Sequence, residues 1–202
     1  LTGILELGNQ ADVTFDGFTF KNGAFTDNGG SIYASAGETG ECNLTLTNCK
    51  FTGNRNVEGK TGAAIYLVNA AASIKNCYFA NNYARNGSSI NMNAGRGDVL
   101  VEDCTFEQNE TFNTSGAIQN GGKVAEIKNC TFKKNKAGSW GGGAFHSGGE
   151  GANTTFTNCV FEENTAPYGG AVSLEAATAT FNGCTFAKNT ATQPVTTNEN
   201  GG

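Results

Sequence analysis

Proline, histidine and charge are scarce in this chain. Its 202 residues include 2 Pro and one His, and 15% of them are charged. Lys and Arg number 13 against 18 Asp and Glu, a net charge of −5. That balance leaves no basic patch for a nucleic-acid backbone or an anionic membrane face, so neither is an expected partner. The longest apolar stretch, residues 63–74, is broken by Tyr66, Asn69 and Ser73. It falls short of the ~20 residues that span a bilayer, and direct membrane insertion by this segment is not expected. No apolar period of 3.6 residues is present, which argues against a helical solenoid. Leu1 follows no initiator Met or signal peptide, so the chain reads as a processed product or an excerpt. What is abundant is glycine, 29 residues, together with repetition.

The repeat emerges when each Phe followed three residues later by Asn is aligned. Six copies are Phe51/Asn54, Phe79/Asn82, Phe106/Asn109, Phe132/Asn135, Phe161/Asn164 and Phe186/Asn189. Two residues before these Phe stand Cys49, Cys77, Cys104, Cys130, Cys159 and Cys184. A degenerate earlier copy has Phe18 in the Cys slot, Phe20 as the Phe, and Asn22 one place early. The mean period is about 28 residues. A second signature follows each Asn after a variable loop, as in Gly116-Ala117-Ile118 or Gly142-Gly143-Ala144-Phe145.

Period-2 alternation resolves three short strands per repeat. The first carries pairs such as Leu44 and Leu46 or Val99 and Val101, the second carries the Cys and the Phe, and the third follows the Gly signature with Ile32, Ile65, Ile90, Ile118, Phe145 and Val172 inward. The first two sets have opposite parity, so the chain must turn between them. The residue before each Cys is Asn48, Asn76, Asp103, Asn129, Asn158 or Gly183, types that tolerate a left-handed backbone, and a sharp bend is expected there. The fold class that follows is all-β: a parallel β-helix of about seven three-strand coils, right-handed by analogy with parallel crossovers. Neither the hexapeptide repeat of left-handed β-helices nor the nonapeptide of calcium-binding rolls is present. One domain spans residues 1–190, and 191–202 form a polar tail, linker or donated strand.

Stacked coils place like residues ~4.8 Å apart, giving ladders of Phe, Cys, Asn and aliphatic side chains. The Asn after each Phe and the Asn before each Cys are expected to bond their counterparts above and below. The ladder cysteines are too far apart in sequence for a zinc set, and His146 is the only imidazole, so no metal or cofactor is expected. Neighbouring ladder thiols have parallel Cβ vectors, which disfavours disulfides. Buried free thiols are expected, with the state of Cys42, outside the ladder, left open.

The pairing of Phe-x-x-Asn with Gly-Gly-Ala-(Ile, Leu or Val) resembles the repeat of the polymorphic outer-membrane proteins of the chlamydial type, over nearly the whole chain. That resemblance implies an exported surface adhesin whose β-helical passenger carries binding. The expected location is extracellular or at the cell surface, and the expected partners are a protein or glycan of a host or neighbouring cell.

Function divides three ways. The β-helix also hosts pectin-degrading enzymes, but Asp12, Asp16, Asp27, Asp98 and Asp103 do not recur in adjacent coils, and Glu162-Glu163 flanks a turn. His146 follows inward Phe145, so it is expected outward and solvated, and no catalytic residue is proposed. A carbohydrate-active β-helix or glycan-binding module stays as the alternative to an adhesin or structural fibre. Aromatics in most variable loops, Phe25, Tyr83, Phe112, Trp140 and Tyr168, form a candidate ligand or partner stripe up one corner, or else fold over their own corners and seal the core. The chain ends are in phase, with Gly3 to Leu7 resembling Gly170 to Leu174, so head-to-tail self-association into filaments is a third expectation.

Overall fold

The computed structural model describes residues 5–26, 28–56, 59–93 and 95–193, except for the side chain of Phe25. Gly3, Ile4, Asp27 and the expected polar tail from 194 onward lie outside the described residues. Within them the chain forms seven coils built of four parallel seven-stranded sheets, here A to D in the order one coil visits them. The fourth coil illustrates the path: Ile90–Met92 in sheet A, Val99–Glu102 in B, Thr105–Glu107 in C and Glu110–Thr111 in D.

The expected three strands per coil are therefore corrected to four. The fourth strand has only two residues, and its inward slot holds Asn56, Ala84, Thr111, Ala137 and Ala166. No apolar alternation can be read from a two-residue strand with so mixed an occupant. The last D strand, Thr190–Ala191, still pairs with its neighbour, and Thr192 and Gln193 donate to the carbonyls of Ala166 and Pro167. The solenoid thus runs a few residues past the expected boundary at 190.

Register is set by the columns that the repeat predicts. Phe20, Phe51, Phe79, Phe106, Phe132, Phe161 and Phe186 pair in sequence across sheet C. Their rings stack with centroids 4.7 to 4.9 Å apart and planes within 7°. Sheet A contributes Ile32, Ile65, Ile90, Ile118 and Phe145, all fully buried, and sheet B contributes pairs such as Val99 and Val101. Burying a Phe or Ile side chain contributes about 1.5–3 kcal/mol, so each added coil extends one continuous core.

The bend before each Cys is as expected. Asn48, Asn76, Asp103, Asn129, Asn158 and Gly183 have φ between 50° and 62°, and Gly17 takes the same place in the first coil at 74°. A second left-handed bend, one residue before each ladder Asn, was not legible. It falls on Asn22, Gly53, Asn81, Gln108, Lys134, Glu163 and Lys188, with φ of 53° to 66°. Side chains such as Lys and Glu carry no preference for this region, which costs them about 1–2 kcal/mol.

Candidate functional site

Two columns follow the two bends, and both are built in the same way. In the asparagine column each Nδ2 donates to the Oδ1 of the Asn one coil later: Asn54 to Asn82, Asn82 to Asn109, Asn109 to Asn135, Asn135 to Asn164 and Asn164 to Asn189, at 2.9 to 3.1 Å. That same Oδ1 also accepts the backbone N–H of the preceding Asn, and each Nδ2 further donates to the Phe carbonyl of the coil before, as Asn109 does to Phe79. In the degenerate first coil Asn22 is the bend residue and Gly23 fills the ladder slot. Its N–H is accepted by Asn54 Oδ1 at 3.0 Å. The bend carries the N–H out of the strand ladder, and the side chain of the next coil supplies its acceptor, as a buried amide requires.

The cysteine column repeats the device in sulfur. The backbone N–H of Cys77 donates to Cys104 Sγ, one coil later, at 3.4 Å. The thiols in turn donate to carbonyls, as Cys104 does to Glu102 at 3.1 Å. All seven cysteines are free, and every one but Cys184 is buried. Cys42, in sheet B, is free and buried as well, with its thiol pushed up mainly by desolvation. The asparagines before the cysteines form a shorter exterior series, with Asn48 donating to Asp16, Asn76 to Asn48 and Asn129 to Asp103.

The five aromatics of the expected stripe do not occupy one register. Phe25 pairs with Asn56, and its side chain lies outside the described residues. Tyr83 stands in a D strand, aligned with Arg55 and Glu110, and carries the Arg55 guanidinium 5.0 Å over its ring. Phe112, Trp140 and Tyr168 instead follow the D strands of the fourth, fifth and sixth coils. Their loops are bonded to one another: Ser139 and Trp140 donate to the Asn113 carbonyl, and Gly169 to that of Gly141. Phe112 is 65% exposed, Tyr168 42% and Trp140 36%. Three of the five thus sit in loops that neighbour one another on three successive coils.

His146 is a correction. It is directed away from the core, paired with Gln119 and Ser173 on the outer side of sheet A, yet it is only 2% exposed. Trp140 folds over it edge to face at 4.8 Å. The turn that allows this runs through Gly141, whose φ of 89° strains any side chain and where a Cβ would lie 3.2 Å from that of Thr114. The His146 backbone N–H donates to Ser115 Oγ, its Nδ1 has no partner among the described residues, and burial lowers its pKa against a weaker opposing pull from Glu175.

The corner between sheets A and B holds two cations that sequence reasoning missed. Arg96 Nη2 donates to the carbonyls of Glu38 at 2.7 Å and Gly40 at 3.2 Å, bridging a shallow groove of about 350 Å³ over the short third-coil corner. Lys123 is fully buried, with Nζ on the carbonyls of Arg96 and Gly97, and desolvation lowers it to about 8. Nothing in the local sequence marks Lys123 as interior, because its acceptors belong to the previous coil. The surface carboxylates are spread among lysines, Glu102 with Lys75, Glu110 with Lys136, Glu162 with Lys133 and Glu163 with Lys134. Among the described residues no group of three or more His, Cys, Asp or Glu converges on a point.

These coils and columns define a parallel β-solenoid. The family model described as "Right handed beta helix region" matches residues 2–192; the chain belongs to that family, and its coils are right-handed. No curated protein and no solved structure matches the chain.

Proposed function

We propose that the protein is a non-enzymatic, exported repeat protein, an adhesin passenger or surface fibre of the kind its repeat resembles, and that its contact surface is the corner formed by Phe112, Trp140 and Tyr168. The observation that carries this reading is the exposure of three large aromatic rings on consecutive coils. Isolated exposed apolar residues are ordinary, whereas several on neighbouring loops of a rigid scaffold suit recognition. Aromatic faces at the end of a polar loop suit a pyranose ring or an apolar protein patch. The distribution of carboxylates among lysines, and the placement of the one imidazole beneath Trp140, favour binding over hydrolysis, which needs two carboxyl groups about 5–9.5 Å apart.

The test is a triple substitution, Phe112→Ala, Trp140→Ala and Tyr168→Ala, assayed against a glycan array and intact cells. Loss of binding at unchanged far-UV circular dichroism supports the corner. Binding equal to that of the parent chain removes it. Turnover of an acidic polysaccharide by the parent chain would instead favour the carbohydrate-active alternative.

In the seventh coil Leu174, Phe181 and Phe186 are 42%, 36% and 49% exposed, against fully buried Phe156 and Phe161 one coil earlier. A further coil of the same repeat, from this chain or a second copy, would cover them. Light scattering and electron microscopy check this: a strictly monomeric folded chain argues against self-stacking.

A further inference from the structure

We propose that the cysteine column is a binding site for soft d10 monocations of the copper(I) and silver(I) type, each held in line between the sulfurs of two neighbouring coils. Three observations carry it. Six free thiols stand in one register, two residues from a Phe column whose rings repeat every 4.7 to 4.9 Å. Two metal–thiolate bonds of about 2.3 Å laid end to end span about 4.6 Å, so the coil rise matches a linear S–metal–S unit. Thiolates select soft cations over hard ones.

The second observation is the backbone N–H of Cys77, which donates to Cys104 Sγ at 3.4 Å. Hydrogen bonds to the charged form favour a thiolate. The third is the shape of the column. Parallel side chains in a line bring two sulfurs to any one point between coils but never four, which excludes the tetrahedral zinc set and leaves two-coordination.

The step is a ligand exchange without redox change. Two S–H bonds break, two protons pass to solvent, and two S–metal bonds form to one cation, leaving one net negative charge per pair. Six thiols make three such pairs: Cys49 with Cys77, Cys104 with Cys130, and Cys159 with Cys184. Because every column thiol but Cys184 is buried, entry to the inner pairs follows local opening of a coil, and equilibration there is slow.

The probe is silver nitrate added to the folded full chain in chloride-free buffer, with bound silver measured by elemental analysis after desalting and protons counted by pH-stat. In-line pairing predicts about three silver ions in the column and two protons released per ion. One proton per ion would mean single-thiol binding and overturn the proposal, as would folded protein that takes up none. Two variants separate spacing from thiol number. The Cys77→Ala, Cys130→Ala, Cys184→Ala variant keeps three column thiols two coils apart. The Cys130→Ala, Cys159→Ala, Cys184→Ala variant keeps three in adjacent coils. Only the second should release two protons for a bound ion; equal behaviour of the two overturns the pairing. Far-UV circular dichroism establishes that each variant is folded, and the proton count on the parent chain decides the matter if one is not.

Discussion

The asparagine column and the cysteine column solve one problem with different atoms. Each follows a left-handed bend, each has a backbone N–H that the bend turns out of the strand ladder, and each offers that N–H an acceptor on the side chain of the next coil. The amide closes the account fully: Asn109 Oδ1 takes two donors from Asn82, while its Nδ2 serves Phe79 and Asn135. A thiol is a weak acceptor and a weak donor, so the sulfur column is held less by hydrogen bonds than by apolar packing. Stacking thus fixes where a polar atom is needed, and residue chemistry fixes how much stability that atom brings.

The largest effect should come from Asn109→Leu, which strands buried donors on Asn82 and the carbonyl of Phe79. A loss of about 3–5 kcal/mol is expected from denaturant unfolding. Cys104→Ala leaves only the Cys77 N–H without its acceptor and a small void, and should cost about 1–2 kcal/mol. If the two variants proved equally destabilising, the contrast between the columns would fail. Cys104→Ser, which restores an acceptor of similar size, should recover part of that smaller loss.

Burial on the outer face gives a third measure. His146 is held neutral, with its folded pKa below the unfolded value near 6.5. Its contribution is complete above pH ~6.5 and is lost as pH falls from there toward the depressed folded pKa, with a slope of at most about 1.4 kcal/mol per pH unit. In His146→Gln that slope should vanish from urea midpoints collected between pH 7 and pH 5. Smallest of all is Lys136→Ala, which removes the exposed pair with Glu110. A change within about 0.5 kcal/mol is expected, shrinking further in high salt.

Much of this architecture was legible because a solenoid writes each contact once per turn. Phe106 and Cys104 announced their columns by recurrence, and Asn48, Asn76 and Asp103 announced their bend by residue type. The second bend was hidden, because Gln108, Lys134 and Glu163 take their backbone from the amide that follows rather than from any preference of their own. The two-residue strand Glu110–Thr111 was too short to show a period. Alternation correctly placed His146 outward and then misled about solvent, since it says nothing of a loop that folds back. For the aromatic corner, sequence named Phe112, Trp140 and Tyr168 but grouped them with Tyr83, which the D-strand register sets apart.

By itself the sequence determined the period of about 28, the ladders and the sharp turn before each cysteine, since these depend on neighbours at fixed separations along a regular winding path. The tertiary structure alone decided which outward residues are dry and which loops meet. Trp140 closes over His146, and Lys123 reaches carbonyls of the coil before it. Those outcomes turn on loops of unequal length laid side by side, and no repeat period encodes where they lie.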